Sequence, residues 1–196
     1  DLKFKMGIAR PDNIGTNYQE SIQYPSLNIR GLLAGWVGNE VRTIIPSLAT
    51  AEIDIRTVKE SDPEKLIFLL KKHIAEEGFV IVDEKPTKKE KMTHPHLVEF
   101  DYEVSYQAFR TELDSKTGLW LRRAMKEKNG SEPIMKRTSG GSIPISPFVN
   151  TLGVPAVTVP TVNPDNNQHS PNENIRLGNF VDGIETILVI LTQQIN

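Results

Sequence analysis

The sequence predicts two units of different class, an α+β unit built on a small antiparallel sheet and a following unit of α/β character. Three observations carry this expectation. In the segment Ala49 to Arg56, Ala49, Ala51, Ile53 and Ile55 alternate with Thr50, Glu52, Asp54 and Arg56. A strand whose second face is charged has one wet side, as antiparallel sheets do. Directly afterwards Leu66, Ile67, Leu69, Leu70 and Ile74 recur at helical spacing, which gives a helix with one apolar stripe. Residues 154–159, in contrast, are mostly apolar and β-branched, as in a strand covered on both faces.

Taken in order, residues 1–25 are polar, contain Pro11, Gly15 and Pro25, and show no sustained period; they read as an irregular lead-in. From Ser26 a strand begins, with Leu27 and Ile29 alternating with Asn28 and Arg30. Gly31, Gly35 and Gly38 follow, with Trp36 and Val37 expected in another short strand. After the charged strand, Asp62-Pro63-Glu64 opens the helix with an acidic N-cap, a proline in the first turn and an acid near the positive dipole end. Gly78 ends that helix, and residues 79–82 read as a strand. Helices are thus expected on one side of a small sheet. Residues 84–100 are aperiodic and are expected to be a connection.

In the second unit Asp114 or Ser115 can cap a helix through Leu119, Trp120, Ala124 and Met125, ended by Asn129-Gly130. A short strand is expected around Ile134, a turn at Gly140-Gly141 and a helix from Pro144 to Thr151. The apolar strand at 154–159 follows. A last helix, capped by Asn179, carries Phe180, Ile184, Ile187, Leu188 and Leu191 on one face. The expected organisation is a lead-in over 1–25, a first unit over 26–110 and a second over 111–196. The second unit has too few strands to complete a parallel sheet of its own, a first sign that the chain is a piece of a longer polypeptide.

Composition limits the function classes. With 38% hydrophobic and 24% charged residues in a chain of 196, a sizeable core is expected. A net charge of −2 offers no clustered basic excess for phosphate, so no nucleic-acid partner is expected. The one basic stretch, residues 85–91, contains Glu90 and reads as a solvated loop. Cysteine is absent, which excludes disulfides and thiol chemistry but does not decide the compartment. The longest apolar run, near Ile184 to Leu191, falls far short of the roughly 20 residues that span a bilayer, so no membrane partner is expected. No signal peptide is visible, and a cytoplasmic location is favoured. The chain begins with Asp1 rather than Met, so the natural N-terminus is expected to be missing.

Few residues carry chemistry. His169 stands in the polar loop Asn166-Asn167-Gln168-His169-Ser170-Pro171-Asn172-Glu173, just after the apolar run. Loops at strand carboxyl ends are where α/β proteins place sites, and imidazole is the commonest metal ligand; a surface histidine in an Asn- and Pro-rich turn is the plainer alternative. Glu173 is four residues on, but Pro171 excludes a shared helical face, so it orients or caps locally. Ser139-Gly140-Gly141-Ser142 either lets a ligand approach the backbone, with Ser142 as donor, or is a helix-entry turn with Ser142 as cap. Arg56 ends the wet face of its strand. Its guanidinium suits a carboxylate, or else pairs with Asp54 or Glu52. Thr43 offers a hydroxyl before Pro46. His94 and His96 lie in the expected connection and His73 on a polar helix face, all read as solvent-exposed. A catalytic zinc needs three or more protein ligands, and these residues supply one good candidate.

Several segments together resemble a known family. Tyr24-Pro25-Ser26-Leu27-Asn28-Ile29-Arg30-Gly31, Val41-Arg42-Thr43-Ile44-Ile45-Pro46, and Ala49 to Arg56 followed by Asp62-Pro63-Glu64 resemble the lid, or dimerisation, domain of M20 metallopeptidases. Gly140-Gly141-Ser142-Ile143-Pro144 and His169-Ser170-Pro171-Asn172-Glu173 resemble the family's returning catalytic-domain segment. Thr43-Ile44-Ile45-Pro46 looks most like the carnosinase and cytosolic dipeptidase branch.

The resemblance implies an α+β lid, an antiparallel sheet with two helices on one face, followed by the C-terminal α/β piece of a zinc-aminopeptidase-like catalytic domain. It implies two divalent metal ions, zinc the expected pair, bridged by a carboxylate and a water, and a substrate that is a small peptide or an N-acyl amino acid. His169 resembles the last metal ligand. Thr43, Arg56 and Ser142 resemble substrate-holding residues, Arg56 receiving the C-terminal carboxylate. A homodimer through the lid is implied, with part of the lid serving the partner's site. The other ligands, the general base and the lid histidine belong to an upstream region absent here. The chain by itself is therefore expected to hold no stable metal and to be inactive. A deacetylase of N-acyl amino acids, or a non-catalytic dimerisation module, is the alternative.

Overall fold

In the computed structural model, which describes residues 3–4, 7–11 and 14–195, the alternating segments form an antiparallel pair. Strand β1 is Ser26–Ala34 and β2 is Ala49–Arg56. Their register runs from Ser26 opposite Arg56 to Ala34 opposite Ala49, with one irregularity between Ile29 and Gly31. The connection leaves β1 through Gly35 at φ +63°, the left-handed region that glycine enters without a Cβ penalty. A Cβ there would stand 3.1 Å from Cγ of Pro46, so the two ends of the connection are close together. Trp36 and Val37 do not form the expected strand. Gly35 and Gly38 both take positive φ, which interrupts an extended run, and Gly38–Glu40 is a single 3-10 turn. Within the expected lead-in a one-turn helix α1, Tyr18–Ser21, is capped by Asn17, whose side chain accepts from the Glu20 amide.

Helix α2, Pro63–Glu76, has Asp62 as N-cap, its carboxylate accepting from the amides of Glu64 and Lys65. It packs on β3, Val80–Val82. Two expectations fail here. Residues 84–100 are not a plain connection, because they hold helix α3, Lys88–Thr93, and strand β4, Leu97–Glu99. The overlooked signal is a capping box, in which Thr87 Oγ1 accepts from the Glu90 amide and Glu90 accepts from the Thr87 amide. Nor does β3 join the antiparallel pair. It pairs in parallel with β4, which needs a crossover, and α3 lies on it. Among the described residues, the single small sheet expected is two separate two-stranded ladders.

The chain divides into two compact units, Asp1–Ala108 and Phe109–Asn196. In the second, α4 spans Lys116–Asn129, with Ser115 Oγ accepting from the Gly118 amide and Gly130 in the left-handed conformation past its end. It packs against α6, Leu177–Thr192. The buried positions are Gly118, Leu121 and Ala124 on α4 and Gly183 and Thr186 on α6, at spacings that share one face of each helix. Trp120 Nε1 donates to the Gln193 carbonyl at 3.0 Å. The last helix begins at Leu177 with Arg176 as N-cap, not at Asn179, which lies inside the first turn. Helix α5 is Ser146–Leu152 with Ile145 as N-cap.

The strands expected around Ile134 and at 154–159 are absent from the ladders of the described residues. Val154 and Val157 are 46% and 43% exposed, so the run is not covered on both faces. A β ladder is a property of two segments, and composition names only one of them. The expected sizeable core is also missing. Leu121 and Ala124 are the buried apolar side chains among the described residues. The accessible surface is 16000 Å² for 22.0 kDa, whereas two compact units of half that mass would together expose about 11,000 Å². No helix among the described residues is long and apolar enough to cross a membrane.

Gly118 separates two opposing effects. Alanine inside a helix is ordinarily better than glycine by about 1 kcal/mol. A Cβ at Gly118, however, would stand 2.4 Å from the Leu113 carbonyl oxygen, a backbone atom that moves only with its loop. Gly118→Ala is expected to destabilise the second unit by about 1–3 kcal/mol, read as a lowered urea midpoint. A raised midpoint would show that the loop yields and propensity wins.

Candidate functional site

The four candidate residues fall in four separate segments, two in each unit. Thr43 lies in the connection between β1 and β2, exposed, beside a stacked pair: the Arg42 guanidinium stands 4.6 Å from the Trp36 ring centroid. Arg56 is the last residue of β2, at the opposite end of the ladder. The eight residues of β2 at about 3.4 Å each place roughly 24 Å of strand between the two ends. Thr43 and Arg56 are therefore not brought together by the ladder. Arg56 Nε donates to Asp54 Oδ2 at 2.7 Å, the plainer of the two readings of that residue. Glu52, the other acid considered, pairs with Arg30 at 3.9 Å.

In the second unit Ser142 is exposed and precedes α5. It does not cap that helix, whose N-cap is Ile145 without a side-chain bond. Neither Gly140 nor Gly141 has positive φ, and a Cβ on either meets nothing within 4 Å. Packing within this chain therefore does not call for glycine at these positions.

His169 stands exposed at φ +62°, between Asn167 at +55° and Asn172 at +64°. Asparagine tolerates this left-handed region; histidine adopts it less readily. The loop is closed by hydrogen bonds on both limbs. The Asn174 amide donates to the Asn166 carbonyl at 2.9 Å and the Ser170 amide to the Asn167 carbonyl at 3.1 Å. Asn167 Nδ2 donates to the Pro171 carbonyl, and the Gln168 amide to Asn166 Oδ1 at 3.1 Å. At the neck Arg176 and Asp165 form an ion pair. Asn163 donates to Asp165 Oδ1 at 3.0 Å. That donor, with the nearby Arg176 guanidinium, holds the Asp165 carboxyl below the usual carboxylate range. Asn163 and this pair were missed in the sequence; the available signal was an amide side chain directly after an apolar run.

The donors do not make up a metal site. Among the described residues there is no group of three or more His, Cys, Asp or Glu side chains placed to hold an ion, and His169 is a single imidazole. A depression of about 460 Å³ in the second unit, lined by Arg110, Thr111, Glu112, Asn150 and Val154 among others, contains none of the four candidates.

Comparison with known proteins places the chain in a class. Residues 19–193 match the model of peptidase family M20/M25/M40, and the chain belongs to that family. Among its relatives, the Cys-Gly metallodipeptidase DUG1 of Saccharomyces cerevisiae is 30% identical over 181 residues, covering 86% of this chain and 33% of the relative. The human Beta-Ala-His dipeptidase is 25% identical over 162 residues, 82% of this chain and 30% of the relative. Among solved structures, the M20 family metallo-carboxypeptidase Sso-CP2 of Sulfolobus solfataricus superposes with a TM-score of 0.69 at 27% identity, covering 97% of this chain and 40% of that one. The chain thus spans about a third of the length of the curated relatives it matches. The branch resembled by Thr43-Ile44-Ile45-Pro46 is the one from which the two dipeptidases come.

Asp165 gives a pH prediction whose sign is fixed. Its folded value lies below its unfolded value of about 3.9, so its stabilisation is complete above about pH 4 and is lost as pH falls through the depressed value. Protection of the Asn174 amide against exchange is expected to drop on acidification below that point. In Asp165→Asn that part of the pH dependence should vanish; its persistence would assign it to other carboxylates.

Proposed function

We propose that these residues form the lid domain, 26–110, and the returning part of the catalytic domain, 111–196, of an M20 metallodipeptidase that hydrolyses small peptides. The family match over residues 19–193, with dipeptidases among the relatives, carries the reading. The exposed apolar faces support it. On α6, Phe180, Val181, Ile184, Ile187 and Leu188 are all more than half exposed, and the solved relative has more than half its chain beyond the part matched here.

In this reading His169 is one ligand of a site with two divalent metals, zinc the expected pair, whose remaining ligands and general base come from outside these residues. The 196-residue chain alone then holds no metal tightly and does not turn over peptide. Arg56 receives the C-terminal carboxylate of the substrate. Since its Nε is already engaged by Asp54, carboxylate binding must share or displace that contact. Ser142 donates to the substrate backbone from a turn whose glycines packing does not require. Thr43, at the far end of the ladder from Arg56, serves the substrate of a second copy in a homodimer formed through the lid.

Metal content and dipeptide hydrolysis, measured in parallel on this chain and on a full-length M20 polypeptide containing it, test the reading. Metal and activity only in the longer polypeptide are expected. Stoichiometric tight metal or turnover in the 196 residues themselves would overturn the ligand assignment. In the longer polypeptide His169→Ala should lower metal occupancy and kcat/KM at least about tenfold; retention of both removes His169 from the site. Loss of a charge-assisted bond to a carboxylate costs about 1.5–3 kcal/mol, so Arg56→Ala should raise KM about 10- to 150-fold for dipeptides with a free carboxylate. C-terminally amidated analogues should be unaffected, and an equal effect on them would exclude the role.

A further inference from the structure

Asn163 is 1% exposed, one of the two largest fully buried side chains among the described residues, and it belongs to no helix or strand. Its carboxamide ties both limbs of the loop that carries His169. Nδ2 donates to Asp165 Oδ1 at 3.0 Å on the outgoing limb and to Asn174 Oδ1 at 3.4 Å on the returning limb. Oδ1 accepts from the Arg176 amide at 3.1 Å. Arg176 is also the N-cap of α6, so the same side chain fixes the loop to the start of the packed helix. Outside the knot, the Arg176 guanidinium closes on Asp165. Every donor and acceptor of this buried amide is thereby used within the loop, as a buried polar group requires. What the knot encloses is a segment with three non-glycine residues at positive φ, His169 among them. Such conformations persist when the surroundings over-determine them.

We propose that Asn163 is a positioning residue, whose buried carboxamide holds the neck of the 163–176 loop so that His169 is presented in its left-handed conformation before any ligand binds. The proposal rests on the reading of His169 as a metal ligand only for its functional meaning; the ordering itself is a property of this chain. Asn163 acts on His169 through its bonds to Asp165, Asn174 and Arg176.

The test is amide exchange and His169 ring NMR on the 196-residue chain. In Asn163→Ala, the Ser170 and Asn174 amides should exchange at least tenfold faster and the His169 ring signals move toward those of a free peptide, while amides in the centre of α4 change less. Asn163→Asp, which keeps the acceptor for the Arg176 amide but loses both Nδ2 donors, should speed exchange of the same two amides and again change the centre of α4 less. Unchanged exchange at Ser170 and Asn174 in Asn163→Ala would overturn the proposal. So would an equal acceleration throughout the second unit, which is what a merely structural core residue gives, or unchanged exchange at both amides in Asn163→Asp. The two readings separate cleanly. A loosened loop together with metal retained by His169→Ala in the longer polypeptide leaves the positioning intact and removes the metal role. An undisturbed loop with metal lost in His169→Ala does the reverse.

Discussion

Packing of α4 against α6 is the contact on which the second unit rests, and small residues let neighbouring loop segments lie close against both helices. Gly118, Leu121 and Ala124 are the buried positions of α4, and Gly183 and Thr186 those of α6. A Cβ at Gly183 would come within 3.1 Å of Thr161 Cβ, so glycine there lets the segment before the His169 loop lie against the helix. Thr186 satisfies its buried hydroxyl by donating to the Asp182 carbonyl at 2.7 Å. Polar clasps close the pair at its ends, Trp120 to the Gln193 carbonyl and Lys128 to Asp182. Because α6 is anchored in this way, its N-cap Arg176 has a fixed place, and through Asn163 so has the loop before it. Helix packing thus reaches the exposed His169 through one buried amide.

The first unit is organised differently. Its β1–β2 ladder is a spacer more than a core: Leu27, Ile29, Leu32 and Leu33 are all at least half exposed. What it does fix is separation. It pairs Arg56 with Ser26 at one end, and the connection that carries Thr43 leaves from the other, at Ala34 and Ala49.

Apolar surface is stabilising only when removed from water, by about 25 cal/mol per Å². A chain exposing 16000 Å², some 5,000 Å² beyond two compact units of its mass, leaves much of that free energy unrealised. The uncovered faces are regular, amphipathic or wholly apolar elements, as in α6. The solved structure of Sso-CP2, which this chain matches over 97% of its length, has more than half its own chain beyond the matched part.

Local physics decided what the sequence determined alone. Strict alternation fixed β1 and β2, because side chains on a strand have only two directions to point. Asp62-Pro63-Glu64 fixed the start of α2 and Ser115 that of α4, since caps satisfy amides within three residues. The family was legible in short segments such as Thr43-Ile44-Ile45-Pro46 and His169-Ser170-Pro171-Asn172-Glu173. A capping box at Thr87 and Glu90 was equally local and equally readable. Tertiary structure alone decided what depends on a partner distant in sequence. It paired β3 with β4 rather than with the antiparallel strands, left 154–159 without a ladder, moved the start of α6 to Leu177, and buried Asn163 at the neck of the His169 loop. A ladder, a burial or a knot exists only between segments, and no pattern within one segment specifies which other segment will meet it.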